Sequence, residues 1–143
     1  MKKVIVLLIP ILFLVGCDST EEFSKICTKK VSSLNIIDTT KSKVIYNNSD
    51  EVVKVIVTKT YEPKNDDGIL LVENIKKSAS NYNNNLLKSK AIKIKNIEEN
   101  GKYIIKYYLN VKKMNESELE EFGIRKNSVK FFKKMKKEKI ECK

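Results

Sequence analysis

Residues 91–112 read AIKIKNIEENGKYIIKYYLNVK, and this stretch decides the fold. Two β-prone runs flank Asn100-Gly101, the residue pair that best tolerates the positive φ angles of a type I′ turn. In the second run every other side chain is large and apolar, and side chains alternate between the two faces of a strand. The alternating residues are Tyr103, Ile105, Tyr107, Leu109 and Val111. We therefore predict a hairpin of strands over 91–97 and 103–112, with one face in a core.

Three further strands are predicted before this hairpin, and they cover 26–37, 44–46 and 52–61. The turn-forming cluster Asn47-Asn48-Ser49-Asp50 separates the last two strands. Val53, Val55 and Val57 share one face by the period of two, so that face is predicted to be buried. Pro63 ends the third strand.

An amphipathic helix is predicted between the two hairpins. The polar turn Asn65-Asp66-Asp67-Gly68 is suited to starting it. Apolar residues then recur at spacings of three and four, typical of a helix of about five turns that packs on a sheet. This stripe consists of Val72, Ile75, Ala79, Tyr82 and Leu86.

Two short helices are predicted after the hairpin. Asn115 and Glu118 have the spacing of a capping box, and Gly123 ends the first helix. Asn127 caps the second helix, whose apolar side is predicted to consist of Val129, Phe132 and Met135. The chain is thus predicted to be α+β, an antiparallel sheet of about five strands packed on one amphipathic helix, with short C-terminal helices. The strand order stays open.

The N-terminus has the pattern of a bacterial lipoprotein signal peptide. Lys2 and Lys3 precede an apolar run over 4–13, and the small Gly16 precedes Cys17. The apolar run is shorter than the roughly 20 residues of a membrane span. We predict a signal peptide over 1–16, a lipidated tether over 17–24 and a single domain over 25–143. Cys17 is predicted to carry a diacylglycerol and a further acyl chain such as palmitate, because stable anchoring needs more than one chain.

Lipidation of Cys17 leaves Cys27 and Cys142 as an even pair near opposite ends of the domain. In an oxidising or non-reducing compartment outside the cytoplasm, such a pair favours a disulfide. Neither cysteine belongs to a CxxC motif or lies beside an evident general base, although a reactive thiol is the competing interpretation.

The net charge of +11 would be about +9 without Lys2 and Lys3. Arg125 is the single arginine, and recognition of base edges and phosphate groups relies on the planar donors of arginine. An exported lysine-rich protein is therefore not expected to bind nucleic acid. An anionic membrane or wall polymer is the more suitable partner, and a solvated lysine surface is the alternative.

The chain contains no histidine, the commonest general base and the commonest zinc ligand. Two acidic clusters are candidate sites. Asp66 and Asp67 could bind calcium but are suited to helix capping, and the glutamates of segment 116–121 could form an acid and base pair but are suited to a solvated helix face. Likewise, the tyrosines could line a ligand groove, but their alternation favours a core. We predict no enzymatic activity, no cofactor and no metal site.

The densest basic run lies in the last predicted helix. Lysines alternate there with apolar residues, so the helix could lie on anionic lipid beside the anchor, or bury Phe132 and leave its lysines in water. The candidate contact residues are Lys130, Lys133, Lys134, Lys136 and Lys137.

The chain resembles the YehR-like family of small bacterial lipoproteins over nearly all of 17–143. The resemblance rests on the order of its motifs: the lipobox at Cys17, Cys27-Thr28, Thr58-Lys59-Thr60-Tyr61, the central helix, the Tyr103–Val111 strand, the 118–124 segment and Cys142-Lys143. It implies an α+β lipoprotein domain without an established biochemical activity, and it supplies no catalytic residues.

These observations lead to two hypotheses about function. The first is a lipoprotein of the cell envelope, lipid-anchored on the outer side of the cytoplasmic membrane, that binds a protein, an anionic lipid or a wall polymer without catalysis. The alternative is an accessory lipoprotein for transport that binds a small ligand or a metal.

Overall fold

The computed structural model describes residues 20–143, so the predicted signal peptide and Cys17 lie outside the described residues. The elements are β1 (Glu22–Ser32), β2 (Ile36–Asn47), β3 (Val52–Pro63), α1 (Asp66–Leu86), β4 (Ile92–Glu99), β5 (Lys102–Asn110), a 3-10 turn (Val111–Lys113), α2 (Glu116–Glu121), α3 (Ser128–Lys137) and β6 (Glu141–Cys142). The strands form one antiparallel sheet in the order β4-β5-β3-β2-β1-β6. The chain is α+β, as predicted, and the short β6 raises the number of strands to six.

The hairpin of β4 and β5 forms as its sequence predicts. Asn100 and Gly101 have φ angles of 52° and 74°, which glycine and asparagine adopt at low cost. Residues Tyr103, Ile105, Tyr107 and Leu109 are all at most 3% exposed. This alternation fixes the register of β5 against both of its neighbours, because a shift by one residue would move all four side chains to solvent.

The predicted single strand over 26–37 is wrong. Two strands, β1 and β2, meet at a tight turn in which the backbone N–H of Ser33 donates to the carbonyl oxygen of Ile36 at 2.9 Å. β1 also begins at Glu22, inside the predicted tether, because Glu22 and Phe23 already pair with Asn47 and Tyr46 of β2. The predicted strand 44–46 is only the end of β2.

Val53 does not lie on the buried face of β3, contrary to prediction. The register between β2 and β3 shifts by one residue, so Tyr46 pairs with Val52 while Ile45 pairs with Lys54. This bulge turns Val52 inward, to 2% exposure, and leaves Val53 half-buried, since an extra residue reverses the alternation.

Helix α1 begins where the sequence predicts, because the side chain of Asn65 accepts a hydrogen bond from the Gly68 N–H at 2.9 Å. Val72 and Leu86 of the predicted stripe are buried, whereas Tyr82 is 42% exposed. Asn83 is buried in its place, and its side-chain oxygen accepts a hydrogen bond from the Tyr107 hydroxyl at 3.1 Å. In the last turn of α1, Asn83 therefore faces the sheet instead of Tyr82, because its hydrogen-bond partner Tyr107 lies there.

Both C-terminal helices have the predicted N-caps. Asn115 and Glu118 form a complete capping box, and the Asn127 side chain accepts from the Lys130 N–H. In α3, however, Val129 is 59% exposed, and Phe131 rather than Phe132 is fully buried. The apolar side of α3 therefore faces the sheet through Phe131 and Met135.

Cys27 and Cys142 form a disulfide that joins β1 to β6 across 115 positions of sequence. The pairing is the one predicted. Between residues 20 and 143, no helix combines the length and the apolar character that a membrane crossing requires.

Candidate anion-binding surface

The described helices all lie on one face of the sheet. Phe122, at the end of α2, packs on Tyr107, and Phe132 of α3 packs on Tyr46. Asn83 of α1 bonds to the same Tyr107. The residues of β5 that point away from these helices, such as Lys106 and Tyr108, are only half-buried. The opposite face of the sheet is thus open to solvent, as is common in antiparallel sheets.

Strand register gives the composition of this open face. Successive partners across the sheet place Thr28, Lys41, Thr58, Lys106 and Lys95 in one line from β1 to β4. The adjacent line contains Ile26, Lys43, Ile56, Tyr108 and Lys93. We call this surface the lysine face; its lysines are Lys30, Lys41, Lys43, Lys54, Lys93, Lys95, Lys102 and Lys106.

Acidic residues of the described strands reach the lysine face only at its margins, and one of them is Glu141 of the edge strand β6, which pairs with Thr28. Glu22 lies at the start of β1, and Glu62 and Glu99 lie at the opposite end of the sheet. Glu62 is already engaged, because its carboxylate binds the Lys102 ammonium at 2.9 Å. The middle of the face is therefore positive, with isoleucine, threonine and tyrosine between the lysines.

Lys95 and Lys106 are directly opposite each other on β4 and β5. Cβ atoms of opposite residues are about 4.5–5.5 Å apart, and like charges in that arrangement destabilise a sheet. Among the described residues neither ammonium group forms an ion pair. A bound anion would relieve this repulsion.

Two lysines of the helix-covered side have acceptors close by. Lys76 of α1 lies 2.5 Å from the Glu98 carboxylate, and this hydrogen bond raises the pKa of Lys76 above its usual value. Lys134 of α3 donates to the carbonyl oxygen of Gly123 at 2.8 Å and lies 3.8 Å from Glu138. These lysines have acceptors within the protein.

The predicted contact residues of α3 lie on the helix-covered side, away from the lysine face. Lys130, Lys133, Lys136 and Lys137 are exposed, whereas Lys134 is half-buried and bonded to Gly123. Because Phe131 and Met135 are buried, they are not available to enter a lipid surface. The contact of α3 with an anionic surface stays a prediction. Its binding energy would come mainly from the exposed lysines and not from insertion of the buried apolar side chains.

The other sequence candidates have structural roles. Asp66 and Asp67 lie in the first turn of α1, and Glu116 and Glu118 lie in that of α2. Within residues 20–143, no group of three or more acidic or cysteine side chains has a geometry that could hold a metal ion.

Tyr61, Tyr103 and Tyr107 on the helix-covered side lie in the core or pack against it, whereas Tyr82 is partly exposed. Tyr61 stacks on Tyr103 with ring centroids 6.3 Å apart. Burial raises the pKa of Tyr107 to about 12, with smaller contributions from Tyr61 and Tyr103. Burial also raises the pKa of Tyr82, which donates to the Glu121 carboxylate at 2.7 Å. These groups stay neutral at ordinary pH, and Tyr82 and Tyr103 each also line an open surface cavity.

Sequence reasoning missed the lysine face. Its residues come from five strands, and their side chains become neighbours only when the strand order is known. One signal was present, since Lys93 and Lys95 alternate with the inward Ile92 and Ile94 on β4.

Comparisons of the chain with family models, with curated proteins and with solved structures find no match. The resemblance to YehR-like lipoproteins therefore stays a prediction.

Proposed function

We propose that this chain is an extracytoplasmic lipoprotein, anchored through a diacylglycerol on Cys17, whose domain binds anionic lipid through the lysine face without catalysis. The observation that carries the proposal is the uncovered, positive middle of the sheet. The unneutralised pair Lys95 and Lys106 lies in that region.

The composition of the lysine face suits a membrane surface. A lysine near an anionic bilayer contributes about 1 kcal/mol. Ile26, Ile56 and Tyr108 are partly exposed among the lysines, and such side chains enter the headgroup region readily. A second copy of this chain is a poor occupant, because two positive faces repel each other.

The short tether supports the same partner. Cys17 precedes the start of β1 at Glu22 by five residues, a reach of at most about 18 Å. A lipidated Cys17 would therefore keep the domain close to the bilayer, and a weak contact of the sheet would be strengthened by this high effective concentration. The helices would then face away from the membrane, so this proposal competes with the predicted contact through α3.

The anchor is tested by mass spectrometry of the N-terminus of the exported protein, together with cell fractionation. We expect an acylated Cys17 in the membrane fraction, and release of the Cys17→Ser protein from that fraction. An unmodified Cys17 in a soluble protein would contradict the anchor.

The contact surface is tested with residues 17–143 carrying Cys17→Ser, which contain every described strand and helix. The sheet variant is Lys41→Gln/Lys95→Gln/Lys106→Gln, and the matched control on α3 is Lys130→Gln/Lys133→Gln/Lys137→Gln. Co-sedimentation with phosphatidylglycerol vesicles should weaken by about 100-fold in the sheet variant, at about 1 kcal/mol per lysine, and by much less in the control.

Three results would contradict the contact surface. The first is equal loss in both variants, and the second is binding to uncharged vesicles as strong as to anionic ones. The third is a preference for a soluble anionic polymer over vesicles, which would assign the face to a wall polymer. We also expect the affinity of the unaltered domain to fall steeply with salt, because exposed charges are screened.

A further inference from the structure

A cavity of about 540 Å³ opens at one corner of the lysine face. It lies where β3 begins and β5 ends, next to the start of β4. Its walls include Lys54, Lys90, Lys93, Tyr108, Asn110 and Lys113. The register explains the convergence, because Lys93 is opposite Tyr108 and Lys54 is opposite Asn110.

The charge of this cavity is unusual within the described part of the molecule. Four lysines line it, and no acidic residue does. Four further cavities of the same domain each include at least one glutamate. The four lysines form no ion pair within residues 20–143. The Tyr108 hydroxyl and the Asn110 amide add two neutral donors that no described side-chain hydrogen bond engages.

The end of the sheet that holds the cavity is also the end nearest the tether. Glu22, the first residue of β1, pairs with Asn47 at the end of β2, and the next strand begins there at Val52. Lys54 lies two residues further along β3. The cavity would therefore stand at the height of lipid headgroups if Cys17 were anchored in the bilayer.

We propose that this cavity binds the phosphate group of an anionic phospholipid headgroup, an inference that rests on the proposed lipid contact of the lysine face. Several ammonium groups around one space suit a compact group with several charged oxygens, and the neutral donors complete its hydrogen bonds. The rest of the lysine face attracts any anionic surface, whereas the cavity distinguishes phosphate from other anions.

The first test uses residues 17–143 with Cys17→Ser and two doubly substituted variants with equal loss of charge. The cavity variant is Lys54→Gln/Lys93→Gln, and the control is Lys41→Gln/Lys106→Gln on the same face outside the cavity. Glycerol 3-phosphate is titrated into each protein and followed by NMR, with acetate at equal ionic strength as the comparison anion. A dispersed amide spectrum and an intact disulfide show that each variant is folded.

We expect saturable shifts of the Tyr108 and Asn110 amides with glycerol 3-phosphate and none with acetate. The affinity should fall at least ten-fold in the cavity variant and less than three-fold in the control. Equal shifts with acetate, or equal losses in the two variants, would overturn the cavity as a phosphate site.

The second test separates a headgroup from free phosphate. Binding is compared on vesicles containing phosphatidylglycerol and on vesicles of equal surface charge containing oleate. The unaltered protein and the control should prefer phosphatidylglycerol, and the cavity variant should lose that preference. If glycerol 3-phosphate binds but no preference exists, the source is free phosphate and the headgroup assignment is overturned. If the unaltered protein binds neither kind of vesicle, both the headgroup assignment and the lipid contact of the lysine face are overturned. Binding of glycerol 3-phosphate in the first test would still support a site for soluble phosphate.

Discussion

The ammonium groups of Lys95 and Lys106 repel each other. A substitution that removes one of these two positive charges should therefore stabilise the domain. Their strands need no charge there, because the register of β5 is already set by its buried tyrosines and aliphatic residues. Two lysines opposite each other lower the stability of the sheet, and an anion bound between them would offset that loss.

We expect Lys95→Glu to stabilise the domain while weakening its binding to anionic vesicles. The new carboxylate would be opposite Lys106, and replacing a like-charge pair by an opposite-charge pair gains about 0.2–1 kcal/mol. Urea unfolding measures the gain. Lys43→Glu is the control, because Lys43 lies between Ile26 and Ile56 and should gain less. A lower unfolding midpoint for Lys95→Glu would contradict the argument.

The buried bond between Tyr107 and Asn83 predicts strongly non-additive substitutions. The side-chain nitrogen of Asn83 already lacks a partner. Tyr107→Phe would leave the side-chain oxygen of Asn83 without a partner as well, and should lower the free energy of unfolding by about 1–3 kcal/mol. Combining Tyr107→Phe with Asn83→Leu should recover most of that loss, because neither buried polar group then remains. Urea unfolding of both variants measures the difference. Tyr108→Phe, on the lysine face, should be close to neutral, and equal losses for Tyr107→Phe and Tyr108→Phe would disprove the role of the bond.

At the scale of elements, the sequence predicts those turns and helix N-termini that a few neighbouring residues specify. Asn100-Gly101, the Asn65 cap and the Asn115 capping box are local signals, and all three elements form where expected. The turn between β1 and β2 was missed because Ser33-Leu34-Asn35 contains neither glycine nor proline. The inward turn of Asn83 was missed as well, because its cause is Tyr107, a residue 24 positions away.

The lysine face was not predictable for the same reason. It requires β3 and β5 to be neighbours, while α1 and β4 separate them in sequence. No local pattern decides whether β3 pairs with β4 or with β5, so the neighbours across the sheet follow only from the assembled order of strands.

Gly68 fixes the start of α1 against the turn between β1 and β2. A Cβ atom at this position would collide with the backbone carbonyl of Asn35. We expect Gly68→Ala to destabilise the domain by about 1–3 kcal/mol, since backbone offers little room to move. Thermal unfolding measures this loss. Asn84→Ala at an exposed position of the same helix should be neutral or stabilising, because alanine is the better helix former. A neutral Gly68→Ala would show that the helix moves freely at its start.

At the scale of the whole molecule, the disulfide closes almost the entire domain. Cys27 is 2% exposed, and the C-terminal segment is held to β1 by the pairs at Cys27 and Thr28 and by reciprocal backbone hydrogen bonds between Ile26 and Lys143. Replacing both cysteines by serine should cost about 4 to 5 kcal/mol in the chain-entropy model, because the loop between them spans 115 positions. Reduction of the unaltered protein should give a similar loss in urea unfolding. Two alkylatable thiols at these positions in the unreduced protein would contradict the pairing.

The tyrosine core predicts that the whole domain loses stability at alkaline pH. Burial raises the pKa of Tyr107 to about 12, and it also raises the pKa values of Tyr61 and Tyr103. The unfolded chain releases its phenolic protons near pH 10, before the folded chain does. This contribution to stability is therefore complete below pH 10 and is lost as the pH rises towards 12. Urea midpoints at pH 8, 10 and 11 measure the loss, and Tyr107→Phe with Asn83→Leu is the control. The lysines are the same in both proteins, so a smaller alkaline loss in the variant isolates Tyr107, whereas identical losses would contradict its role.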